Sequence, residues 1–100
     1  MIQGTTPIHT FGIPFDTTTI KKARVTYSQN DSVVLIKEGE QCTITDNAVV
    51  VRLSQEETFL FDTDFPVDIQ VRILTKDDVA IASRPQRAPI RTVLDGEVLQ

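Results

Sequence analysis

The chain has one cysteine, one histidine and no tryptophan, and only four glycines and five prolines in 100 residues. A single cysteine excludes a disulfide within the chain. One histidine beside one cysteine excludes most zinc sites and leaves little for a nucleophile–base pair. Low glycine and proline, with 40% apolar and 24% charged residues, exclude a disordered or collagen-like chain. The longest apolar run is Val33 to Ile36, too short for a transmembrane helix. The net charge of −4 gives no general attraction to phosphate backbones or anionic lipid, so neither nucleic acid nor membrane is expected as a partner. The opening MIQGTTPIHT lacks the basic and apolar regions of a signal peptide, so cytoplasmic synthesis is expected. Gly4, Gly12, Gly39 and Gly96 stand alone, without a phosphate-cradling loop or a nucleophile elbow. No enzyme is expected, and no catalytic residue, cofactor or metal is assigned.

What is present points to strands. Valine, isoleucine and threonine make up 34 of the 100 residues, and these β-branched side chains suit a pleated surface better than a helix. The length suits one domain over 1–100, burying roughly 65% of its unfolded surface without a staple. Ile8 to Phe15 puts His9, Phe11, Ile13 and Phe15 on one parity, with Gly12 and Pro14 arguing for an edge or a bulge. Further strands are expected at Ile20–Ser28, Ser32–Glu38, Gln41–Thr45 and Ala48–Leu53, the last two joined tightly through Asp46 and Asn47. Ser54 and Glu57 have capping-box spacing, which predicts one helical turn crossing between two sheets. Val67 to Leu74 alternates cleanly, with Val67, Ile69, Val71 and Ile73 inward. Val79–Ser83 and Ile90–Leu94 complete the set, around a segment broken by Pro85 and Pro89. Seven to eight short antiparallel strands with regular turn signals predict an all-β, immunoglobulin-like β-sandwich.

The chemistry-bearing residues have plain structural readings. Cys42 shares parity with Ile44 and is read as a core thiol. Asp62, Asp64 and Asp68, and the pair Asp77–Asp78, lack calcium-loop spacing and suit turns. Arg84, Arg87 and Arg91, interleaved with prolines, read as protection of a sheet edge.

The informative feature is apolarity on both sides of one strand. Val33 to Ile36 and Val49 to Val51 are consecutive, and strand neighbours point to opposite faces. If Val33, Leu35, Val49 and Val51 fill the core, then Val34, Ile36 and Val50 face outward. A two-layer sandwich covers one face of each sheet, so these three form the expected partner-binding patch. The partners expected are other protein chains, or a second copy of this one. A sandwich binding a small ligand or carbohydrate through its loops is the alternative.

The segments QGTTPIHTFGIPFD, VRLSQEETFLFD and VDIQVRILTKDDVAIAS resemble small proteins encoded among prophage tail genes of Gram-positive bacteria. They are also similar to N-terminal β-sandwich modules of phage upper-baseplate proteins. The likeness spans nearly the whole chain and includes no catalytic motif. It implies a virion structural or assembly role among other tail proteins, with the virion as destination. The long downstream region of those baseplate proteins, and with it a receptor-binding or hub role, is not expected of this chain.

Overall fold

The computed structural model describes all of residues 1–100. Eight strands run in the order β1 (Ile8–Gly12), β2 (Ile20–Gln29), β3 (Ser32–Glu38), β4 (Cys42–Ile44), β5 (Ala48–Arg52), β6 (Val67–Thr75), β7 (Ala80–Ala82) and β8 (Gln86–Ala88). They form two antiparallel sheets, one ordered β1-β5-β4 and the other β3-β2-β6-β7, with β8 also on β6. One short helix, α1 (Gln55–Thr58), carries the chain from the smaller sheet to the larger. The fold is an all-β sandwich.

Alternation builds the core. Val25 and Tyr27 on β2, Val49 and Val51 on β5, and Val67, Ile69, Val71 and Ile73 on β6 are all buried, with Phe61 and Leu53 between the layers. Gln29 and Ser32 face each other around Asn30 and Asp31, whose φ angles of 48° and 65° make the two-residue turn that matches strand twist. Asp46 and Asn47 also link their strands tightly, closed by Thr45 N–H donating to Ala48 O at 2.8 Å, but neither has a positive φ. The capping box at α1 is closed in both directions, Ser54 Oγ accepting from Glu57 N–H and Glu57 Oε1 from Ser54 N–H. Gln29 holds the loop after α1: its amide donates to the carbonyls of Asp62 and Phe65 and accepts from Asp62 N–H.

Two expectations fail. Ile90–Leu94 is not a strand; the last strand is Gln86–Ala88, inside the segment expected to be broken by Pro85 and Pro89. Ile90 is buried, but only Arg91 pairs, in a single parallel bridge to Ile2. The inward–outward phase of β3 is also inverted near its start. Tyr27 faces Leu35 while Ser28 faces Val33, so Val34 is an extra residue in a β-bulge. Val33, expected in the core, is 61% exposed; Val34, expected outward, packs against the core.

Candidate functional site

Of the three residues expected to form one outward patch, only Ile36 is clearly exposed, at 41%. The bulge turns Val34 inward. Val50 is half-buried and belongs to the other sheet, opposite Thr10 and Thr43. Ile36 and Val50 therefore lie on the outer faces of different layers and do not form a single surface. What the fold brings together instead is Ile36 with Val33, on β3 at the edge of the larger sheet. No proline or charge lies between Val33 and Ile36, although the bulge at Val34 and the inward Lys37 interrupt the edge on either side of Leu35.

The opposite edge is guarded. β7 and β8 are two pieces of one broken edge, separated by Ser83, Arg84 and Pro85. Ser83 bridges the gap: its N–H donates to Val71 O at 2.9 Å and its Oγ accepts from Val71 N–H. Arg87 pairs with Asp68 at 3.0 Å. Arg84, Pro85 and Arg87 sit at this edge as expected, but Arg91 does not, bridging Ile2 instead.

Between the layers lies a polar cluster that hydrophobic patterning did not single out. Lys37 follows Leu35 on the inward parity of β3, and its ammonium lies 2.6 Å from Glu57 Oε1. Burial alone would raise the Glu57 carboxyl, but the Lys37 and Ser54 donors outweigh it and hold it below the usual carboxylate range. Nearby, His9 Nδ1 and the Tyr27 hydroxyl are 2.7 Å apart. Burial, reinforced by the N-terminal cation, lowers the imidazole, and burial raises the phenol above its ordinary value. A phenol kept protonated thus meets an imidazole kept neutral. The sequence signal for Lys37 was its shared parity with Leu35.

Cys42 is buried, and its thiol donates to Lys37 O at 3.4 Å. Desolvation raises it above its usual value, which disfavours the thiolate. The aspartates act locally: Asp62 Oδ1 accepts from Asp64 N–H, and Asp78 sits at φ 63° in the β6–β7 turn. No group of three histidine, cysteine or acidic residues converges as metal ligands would. No helix is long and apolar enough to cross a membrane.

A half-open cleft of about 770 Å³ lies where β3 ends, lined among others by Lys22, Arg24, Arg72, Glu38, Ala23 and Leu74. It contains no aromatic side chain. Comparison with protein families, curated proteins and solved structures finds no match.

Proposed function

We propose that the protein is a non-enzymatic interaction module, a phage or prophage tail component that docks other tail proteins on the outer face of its larger sheet. The supporting observation is the exposed pair Val33 and Ile36 on the outer face of the edge strand β3. The likeness of three segments to prophage tail proteins supports the biological setting. Val34 and Val50 have no part in this docking surface, because the first packs on the core and the second lies on the other sheet. Calorimetric titration against the purified products of adjacent genes tests the reading. One product is expected to bind, with Ile36→Lys weakening it at least about tenfold and Thr10→Lys leaving it unchanged. Equal binding by Ile36→Lys, or no binder among the neighbours, overturns it.

The cleft beside Arg72 favours a second reading, a binder of small ligands, since its volume lies in the range such sites use. Its lack of aromatics removes the stacking surface that sugars use. Thermal shifts with a panel of organic acids and saccharides test this; no stabilisation by any member overturns it.

A further inference from the structure

We propose that the cleft where β3 ends receives the segment Leu94–Val98 of a second copy of this chain, linking copies head to tail. β2 begins at Ile20, but β3 pairs with it only from Arg24 onward, so four residues of β2 have no strand partner on that side. β3 stops at Glu38 and the chain turns away to the smaller sheet. An extended segment laid here continues the line of β3 and adds to β2 as a strand.

The side chains around this gap specify what fits. Arg24 and Arg72 face each other directly across β2 and β6, an arrangement that like charges oppose. Glu38 accepts from Arg24 at 2.7 Å, and Lys21 has Asp78 at 3.7 Å. Lys22 and Arg72 have no carboxylate within 4 Å. Glu40 is the other carboxylate of the cleft, which holds four cations and two acids. With Lys21 on Asp78 and Arg24 on Glu38, Lys22 and Arg72 are the cations left for an acidic occupant. The inward side of the gap offers Ala23 and Ile44, the latter 42% exposed although it shares inward parity with Cys42.

The required occupant alternates, acidic outward and apolar inward. Leu94-Asp95-Gly96-Glu97-Val98 has this pattern, with both acids on one parity, toward Lys22 on β2 and Arg72 one strand further on β6. In its own chain this segment has no strand partner. Leu94 is fully exposed, and Asp95 makes only a local bond to Glu97 N–H. The flanks are tied elsewhere: Val93 lies near the Cα of Gly4, and Leu99 exchanges two bonds with Gln55. The cleft of one copy and the arm of another form a heterologous contact, which builds rings or filaments.

This extends the interaction-module reading to a second surface, and the two fail separately, because Ile36→Lys leaves the cleft and arm intact. Sedimentation equilibrium over a concentration series tests it on the full chain. Wild type is expected to gain mass with concentration, less so in high salt. Asp95→Lys/Glu97→Lys, with a basic arm, and Lys22→Glu/Arg72→Glu, with an acidic cleft, are each expected to associate at least about tenfold more weakly. An equimolar mixture of the two double variants restores both opposite-charge contacts and is expected to recover association. Wild type that is monomeric throughout, association surviving either reversal, or a mixture that fails to recover overturns the proposal. Circular dichroism confirms that each variant is folded, and conservative variants, Asp95→Asn/Glu97→Gln, replace any that is not.

Discussion

Lys37 Nζ and Glu57 Oε1, from an edge strand and a one-turn helix, meet at 2.6 Å with little exposure on either side chain. The same oxygen accepts from Ser54 N–H, so one atom caps α1 and fastens it to β3. Removing the carboxylate leaves an ammonium in a half-dry site. Glu57→Ala is expected to cost about 3 kcal/mol, at the low end for breaking a buried pair because Glu57 keeps some contact with water. Lys37→Met/Glu57→Gln should recover part of that loss, because no lone charge remains. Urea unfolding of Lys37→Met, Glu57→Gln and the double variant measures the coupling.

The bulge makes the sensitivity of neighbouring valines opposite to simple alternation. Val33→Lys is expected to change stability by less than about 0.5 kcal/mol, as exposed positions do. Val34→Lys is expected to cost on the order of 1–3 kcal/mol, by forcing an ammonium against the core. Denaturant midpoints decide it, and equal losses at both positions would contradict the register.

The His9–Tyr27 pair makes stability depend on pH. A lowered imidazole means that folding disfavours its protonated form. The contribution is present above the unfolded value of about 6.5 and is lost as pH falls below it. Melting temperature is expected to drop between pH 7.5 and 5, and His9→Gln should flatten that drop. Glu57, whose carboxyl is lowered, adds its own loss only further down, below about 4.5.

Cys42 should react slowly. Burial and the bond to Lys37 O keep it protonated and covered, so labelling by a disulfide reagent is expected to follow unfolding in urea. Rapid labelling of the folded protein would place the thiol at the surface.

Legibility in the sequence followed the strength of local signals. β6 was plain, since four apolar residues alternate with polar ones and all four are buried. The α1 crossing was plain because a capping box is a local hydrogen-bond pattern. The failure at β3 has a physical cause. Four consecutive apolar residues carry no phase of their own, so a bulge can change which of them faces inward without leaving a trace in the sequence. The Ile90–Leu94 segment misled because one buried isoleucine and proline punctuation look the same in a strand and in a strap. The expected patch failed for a further reason: parity places a residue on a face of its sheet but says nothing about which sheet that is. Ile36 and Val50 share a parity argument and lie in separate layers.

The interruption between β7 and β8 has a consequence for how copies can accumulate. Templated stacking needs an unbroken ledge of evenly spaced amides, and Pro85 removes one while the Ser83 N–H is spent inward on Val71 O. The larger sheet is therefore closed along one flank, so joining copies edge to edge through that sheet ends at a pair and cannot propagate.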